Sequence, residues 1–178
     1  MKWFKYPDRS YWPEICQRPV KETGKIQFLV QRILTTVAKT GDKALKAYSK
    51  KFDQVALKDL LVSEEEIESA FANCDAKLAI ELAKKNIETF HKTQKEVVLK
   101  TKISQGVLCW RESRAIEKVG LYIPGGSAPL FSTVLMLGVP AAIAGCEEVI
   151  LCTPCDKNGK VHDAILVAAR LCKISKIY

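Results

Sequence analysis

Apolar residues near the start of the chain recur with the period of an α-helix. They follow the spacing i, i+3, i+4, i+7 and i+11, which places them on one helix face, and Gly41 comes after the last of them. This pattern predicts an amphipathic helix that ends before the glycine. The residues of the predicted face are Ile26, Leu29, Val30, Ile33 and Val37.

Capping signals predict three further helices in the first half of the chain. Asp42 is placed to cap the second helix, and Ser63 with Glu66 forms the S-x-x-E pattern of a capping box. Asp75 can cap a longer helix, whose apolar positions keep the helical period until near Lys95. The first half is therefore predicted to be mostly helical.

Strand patterns begin beyond that point. Residues 106–111 and 118–123 are predicted strands, and the polar stretch between them is expected to reverse the chain. Residues 148–153 form a predicted strand with almost no alternation, as expected where both faces of a parallel sheet are covered. Residues 176–178 look like the first step of a further strand.

Two apolar helices are predicted between these strands. The first begins at Ser132 or Thr133 and ends at Gly145, with Pro140 either kinking it or restarting it at a first-turn position. The second spans residues 161–171. From residue 119 onward the order is therefore β-α-β-α-β, which is typical of a doubly wound nucleotide-binding fold.

The predicted fold class is α/β, with a helical N-terminal region followed by an incomplete Rossmann-like parallel sheet with helices on its faces. Two and a half parallel strands would leave apolar strand faces and a sheet edge uncovered. We therefore expect the sequence to be a truncated piece of a longer chain.

Residues 1–24 are predicted to form an irregular arm, because Pro7, Pro13 and Pro19 interrupt them. The arm is rich in aromatic side chains, which either fold back onto this chain or dock on a partner subunit. These side chains are Trp3, Phe4, Tyr6, Tyr11 and Trp12.

Positive charge is concentrated near the N-terminus. The chain has 178 residues and a formal net charge of +8, and residues 1–51 hold 12 Lys/Arg against 4 Asp/Glu. The lysines fall mostly between the apolar positions of the helical pattern, which favours a solvated helix face over nucleic-acid binding. No apolar run approaches the roughly 20 residues of a membrane span, and the start lacks the apolar segment of a signal peptide. We expect a cytoplasmic protein with neither nucleic acid nor membrane as a partner.

The seven cysteines are scattered through apolar contexts, as is usual for small buried hydrophobes in a reducing compartment. Cys152 and Cys155 have the C-x-x-C spacing of redox and metal sites. Residues 156–159 read as a turn, whereas a redox pair needs a helix N-terminus directly behind it, and no second pair supports a metal site. Chance pairing at a strand end is the favoured interpretation.

The sequence VGLYIPGGSAPLFST at residues 119–133 is a candidate ligand-binding segment. A strand that runs through a glycine turn into a helix directs backbone N–H groups at an anion such as phosphate. The segment lacks both G-x-G-x-x-G and a Walker lysine, so a phosphate-binding loop and a structural turn remain equally open. Tyr122 ends the strand, either as a stacking surface for a planar cofactor or as an ordinary strand aromatic.

The chain has two histidines. His91 lies on the long predicted helix and is interpreted as a structural or surface residue. His162 lies at the start of the last predicted helix and is interpreted as a capping or solvent-facing residue. No H-x-x-H, H-E-x-x-H or carboxylate cluster offers a metal set in the sequence. If the protein is an enzyme, most of its catalytic equipment is expected elsewhere.

The chain closely resembles the N-terminal part of the histidinol dehydrogenase family. The resemblance covers about residues 25–178 and rests on four segments in family order, which make coincidence very unlikely. They are TGDKALKAYSKKFD at 40–53, NIETFHKTQ at 86–94, VGLYIPGGSAPLFSTVLML at 119–137 and PAAIAGCEEVILCTP at 140–154.

This resemblance implies the zinc-dependent oxidation of L-histidinol through histidinal to L-histidine in histidine biosynthesis, with NAD accepting hydride at each step. Tyr122 matches the family tyrosine that contacts NAD, and Pro124 is a weaker match in the same loop. The zinc ligands, the other NAD contacts and the Glu-His acid/base pair belong to family segments beyond Tyr178. The chain alone is therefore expected to be inactive.

The resemblance also implies an intertwined homodimer and a domain division. Residues 25–118 would belong to a mostly helical part of a first α/β domain, and residues 119–178 to the first half of a Rossmann-like NAD-binding domain. Two alternatives stay open from the residues alone. They are a non-catalytic nucleotide-binding or interaction module, and an anion or nucleic-acid binder that uses the basic N-terminal region.

Overall fold

The structure is a computed structural model that describes residues 3–18, 24–125 and 128–178. Contacts divide the chain into two compact units, Met1–Leu45 and Lys46–Tyr178.

The N-terminal segment is more regular than predicted. Asp8 accepts a hydrogen bond from the Ser10 N–H (2.9 Å) and caps the 3-10 helix Arg9–Tyr11, which continues into α1 (Trp12–Ile15). The prediction of an irregular arm is wrong here because Pro13 lies in the first turn of α1, where a missing N–H removes no helical hydrogen bond. Pro19 lies outside the described residues. The arm's aromatic side chains are exposed.

The predicted amphipathic helix is confirmed as α2 (Gly24–Thr40), and Gly41 follows it with a φ of +55°. In α3 (Asp42–Phe52), Asp42 lies in the first turn rather than at the cap, because the Gly41 carbonyl already accepts hydrogen bonds from the Ala44 and Leu45 N–H groups. Its carboxylate still lies favourably with respect to the helix dipole.

Of the two capping predictions that follow, one is confirmed and one is wrong. In α4 (Glu64–Asn73), the Glu66 N–H donates to Ser63 Oγ (3.2 Å) and the Ser63 N–H donates to Glu66 Oε2 (3.3 Å), which completes a capping box. In α5 (Lys77–Lys92), Ala76 occupies the N-cap and no side chain caps the helix. Asp75 precedes that position in a tight turn closed by the Lys77 N–H on the Cys74 carbonyl.

An antiparallel hairpin follows α5. Its strands are β1 (Lys100–Ser104) and β2 (Val107–Trp110), joined at Gly106 with a φ of +79°. The pattern predicted β2 but missed β1, since the β1 sequence KTKIS has one apolar residue and all five positions are exposed. Strand β2 does not pair with the next strand among the described residues, because β2 pairs with β1.

The second half forms a parallel sheet in the order β3-β4-β5, with a helical crossover between successive strands. This confirms the predicted α/β class. Pro140 lies inside the first crossover helix without ending it, and Gly145 ends that helix in the left-handed conformation at φ +89°. The elements are β3 (Lys118–Tyr122), α6 (Phe131–Ala144), β4 (Glu148–Cys152), α7 (Asp163–Leu171) and β5 (Lys176–Ile177).

The sheet buries one of its faces. Leu121, Leu151 and Ile177 lie side by side in register and contribute to the hydrophobic core. On the opposite face, Tyr122 and its register partner Cys152 are exposed. The expectation that both faces of β4 are covered is therefore not met within the described residues.

Helix α7 lies at the centre of the core and packs against α4, α5 and α6. Six consecutive residues are buried, so every side of the helix is covered. They are Ala164, Ile165, Leu166, Val167, Ala168 and Ala169.

The start of α7 is fixed by His162, whose Nδ1 accepts a hydrogen bond from the Ala164 N–H (3.1 Å). This confirms the predicted capping role. We expect His162→Ala to lower the free energy of unfolding by about 1 kcal/mol, because a helix N–H loses its partner. His162→Asn keeps an acceptor and serves as the matched control in chemical denaturation. An equal loss in both variants would contradict the capping role.

Candidate functional site

The carboxyl ends of the three parallel strands meet at one edge of the sheet. The loop after β3, the loop after β4 and Tyr178 after β5 all lie there. In open α/β sheets, ligands bind in the crevice outside this edge. The edge is therefore the first place to examine for a functional site.

Tyr122 is the last residue of β3 and 65% exposed. Gly120 lies two residues earlier on the same face, and a Cβ added there would meet no atom within 4 Å among the described residues. An aromatic ring beside open space can stack on a planar ligand. Pro124, the second predicted site residue, is also exposed and follows in the loop.

The loop between β3 and α6 is anchored at its start. Ile123 is fully buried, and its N–H donates to the Cys152 carbonyl (2.9 Å), which extends the strand pairing beyond β3. Two residues later, Gly125 approaches Pro154 of the next loop. The sequence patterns did not indicate Pro154 as a site residue, because no local spacing reports a contact between two loops.

The N-terminus of α6 follows this loop. Leu130 occupies the N-cap without a side-chain cap, and the first turn carries no acidic residue. The positive end of the helix dipole is thus not neutralised by a neighbouring side chain of the described residues. Such an end favours an anionic group.

The C-x-x-C pair has no redox geometry. Cys152 is exposed and Cys155 is half-buried, and the Asp156 carboxylate accepts hydrogen bonds from the Asn158 and Lys160 N–H groups (both 2.8 Å) in the predicted turn. Burial raises the pKa of the Cys155 thiol, and the charges of Asp53 and Asp156 act in the same direction. Redox pairs instead lower the pKa of a thiol at a helix N-terminus.

Within the described residues, neither histidine lies in a group of side chains that could hold a metal ion. His91 contacts Gln94 through Nδ1 (2.7 Å) and lies edge-on to Phe90, while His162 caps α7. Within residues 3–18, 24–125 and 128–178, no three His, Cys, Asp or Glu side chains are grouped closely enough to hold a metal ion. The described residues therefore do not fit a zinc centre.

A large cleft lies away from Tyr122. It measures about 1040 Å³ and is lined by the end of α5, residues 96–99, Arg111, residues 113–115 and the end of α6. Its arginines already have partners: Arg111 pairs with Glu96 (2.6 Å) and Arg114 with Glu112 (3.2 Å). Because size alone does not provide recognition chemistry, we regard the sheet edge as the better candidate site.

The parallel sheet, its helical crossovers and the exposed aromatic residue at its carboxyl edge define a Rossmann-like α/β protein. The model of the family described as histidinol dehydrogenase matches residues 16–178. The chain therefore belongs to the histidinol dehydrogenase family.

Individual relatives agree with this assignment. A histidinol dehydrogenase of Bacteroides fragilis is 55% identical over 180 residues, covering 100% of this chain and 42% of the relative. One of Bacteroides thetaiotaomicron is 52% identical with the same coverage. The crystal structure of histidinol dehydrogenase from Elizabethkingia anophelis matches with a TM-score of 0.89 and 48% identity, over 97% of this chain and 40% of that chain.

The chain thus spans about 42% of the length of these Bacteroides relatives. In the parts of the chain that the structure describes, no helix combines the length and apolar character that crossing a membrane requires.

The burial of the cysteines predicts their order of alkylation. Cys172 is buried, and burial raises the pKa of its thiol to about 11, whereas Cys152 is exposed. Among Cys152, Cys155 and Cys172 of the folded chain, we expect iodoacetamide to label Cys152 first, Cys155 later and Cys172 last. Peptide mass spectrometry measures the three labelling rates. The unfolded chain is the control, in which the three rates converge. Labelling of Cys172 as fast as that of Cys152 in the folded chain would contradict the structure.

Proposed function

We propose that this chain supplies the N-terminal part of a histidinol dehydrogenase, which oxidises L-histidinol through histidinal to L-histidine in histidine biosynthesis. The family match over residues 16–178 carries this proposal. The exposed Tyr122 at the carboxyl edge of the sheet supports it, since the resemblance to the family implies an NAD contact for this residue.

Tyr122 and Pro124 form one side of the NAD site in this proposal. The Tyr122 ring provides an exposed stacking surface beside the open space at Gly120. The α6 N-terminus, for which the described residues supply no side-chain cap, favours the negative charge of the pyrophosphate. When bound, NAD supplies the hydride acceptor, whereas this chain's own residues bind and orient it.

The domain organisation and the surroundings of the protein are part of the same proposal. Residues 119–178 supply the first half of the Rossmann-like NAD-binding domain, residues 25–118 belong to the first α/β domain, and residues 1–24 form the N-terminal arm. The protein acts as a cytoplasmic homodimer, without nucleic acid or membrane as a partner. Family membership supports these points.

The proposed activity requires zinc, but the described residues contain no group of side chains that could bind it. No step is therefore assigned to zinc through a residue of this chain. In the proposal, metal binding and acid/base chemistry depend on family segments that the 178 residues do not contain.

We expect the 178-residue chain by itself to show no turnover. The measurement is NADH absorbance in the presence of histidinol, NAD and zinc. A full-length relative, such as the enzyme from Bacteroides fragilis, is the positive control under the same conditions. Steady NADH production by the chain alone would contradict this assignment of the catalytic groups.

Tyr122 is the residue whose substitution tests the cofactor site directly. We expect Tyr122→Ala to weaken NAD binding by about threefold to tenfold, because an aromatic stacking surface is lost. Tyr122→Phe keeps the ring and should bind within about twofold of the unaltered chain. The measurement is titration calorimetry with NAD on the 178-residue chain.

Tyr6→Ala is the matched control for this titration, since Tyr6 is 93% exposed and belongs to the N-terminal unit. It should leave NAD binding unchanged. Failure of the unaltered chain to bind NAD, or equal effects of Tyr6→Ala and Tyr122→Ala, would contradict the proposed site.

A further inference from the structure

Gly125 and Pro154 lie so close together that a residue larger than glycine would not fit at position 125. A Cβ built on Gly125 would lie 2.7 Å from Pro154 Cγ, 3.6 Å from Cβ and 4.0 Å from Cδ. Gly125 is not among the glycines with a positive φ. The position therefore requires glycine for space rather than for backbone conformation.

Pro154 is held firmly on its own side of this contact. The preceding Thr153 donates its N–H to the Tyr178 carbonyl (2.8 Å), and the Tyr178 N–H donates to the Leu151 carbonyl (2.8 Å). On the following side, the Asp156 N–H donates to the Lys160 carbonyl (2.8 Å). Because the pyrrolidine ring also restricts rotation about φ, Pro154 presents a nearly rigid surface.

The loop on the other side is held at two points. Ile123 is fully buried and bonded to the Cys152 carbonyl, and Gly125 abuts Pro154. Pro124 lies between these points, and Tyr122 lies directly before the first. Movement of Gly125 away from Pro154 would therefore shift Pro124 relative to Tyr122, which the strand pairing and the anchored Ile123 hold in place.

We infer that Pro154 is a positioning residue for the cofactor loop, acting through its contact with Gly125. Pro154 fixes the place of Pro124 and Gly125 beside Tyr122 and thereby the surface that receives NAD. This inference rests on the proposed function for the identity of the ligand. The contact itself rests on the geometry of the two loops.

The two substitutions together test whether Pro154 is the group that constrains the loop at Gly125. If it is not, Gly125→Ala would perturb the loop equally with and without the proline ring. If Pro154 Cγ is the opposing atom, Pro154→Ala removes it and leaves only the Cβ contact at an ordinary 3.6 Å. The effects of the two substitutions should then be strongly non-additive.

The first measurement follows the Tyr122 and Ile123 amide resonances in four forms of the 178-residue chain. These are the unaltered chain, Gly125→Ala, Pro154→Ala and the double variant. We expect Gly125→Ala to displace both resonances, and the same substitution to have a much smaller effect in the Pro154→Ala background. Equal displacement in the two backgrounds would overturn the inference.

Gly120→Ala is the matched control, because its added Cβ meets no atom within 4 Å and should leave the Ile123 resonance in place. Amide hydrogen exchange of Pro154→Ala provides a second arm that does not depend on the folding of Gly125→Ala. Removal of the ring should speed exchange at Ile123, and unchanged exchange would count against the positioning role.

The second measurement is NAD affinity in the same four forms. We expect Gly125→Ala to weaken binding by at least about fivefold in the unaltered background, and by less than about twofold in the Pro154→Ala background. Equal weakening in both backgrounds would overturn the inference. If the unaltered chain does not bind NAD, the proposed function fails, whereas the resonances still decide whether Pro154 positions the loop.

Discussion

The burial of six consecutive residues of α7 is the constraint on which the larger compact unit depends. A surface helix buries one stripe, but six consecutive buried residues require neighbours on every side. Small side chains at Ala164, Ala168 and Ala169 let these neighbours approach closely. The same closeness recurs after the helix ends, where a Cβ on Gly138 of α6 would lie 2.9 Å from the Cβ of Cys172. Helices α4, α5 and α6 therefore pack around one shared element.

This arrangement determines where the candidate site lies. The crossovers through α6 and α7 keep the three strands parallel, so that their carboxyl ends meet at one edge. Leu121 and Leu151 are drawn into the core, and the pleat of the sheet then directs Tyr122 and Cys152 to the opposite face. The exposure of Tyr122 is thus a consequence of the packing on the other side of the sheet.

The sequence predicted those helices and strands that are determined by residues close together in the chain. The period of α2, the Ser63 capping box and the apolar strand β4 are all confirmed, because each rests on neighbouring residues. Strand β1 was missed because hairpin pairing, rather than an apolar face, makes it a strand. Tyr122 was recognisable as a strand end, yet only the family resemblance favoured a cofactor role for it. The contact of Gly125 with Pro154 joins residues far apart in sequence, and no spacing rule could have indicated it.

The exposed face of the sheet is chemically different at its two ends. At the amino end, Glu148 lies between Lys118 and Lys176 of the neighbouring strands, and hydrogen bonds from the two ammonium groups hold the pKa of the Glu148 carboxyl below its usual range. The three side chains form ion pairs with one another and present no aromatic ring. At the carboxyl end the same face presents the rings of Tyr122 and Tyr178 on either side of β4. Among the described residues, this face therefore offers aromatic rings for stacking on a planar ligand only at its carboxyl end, next to the loop in which Gly125 meets Pro154.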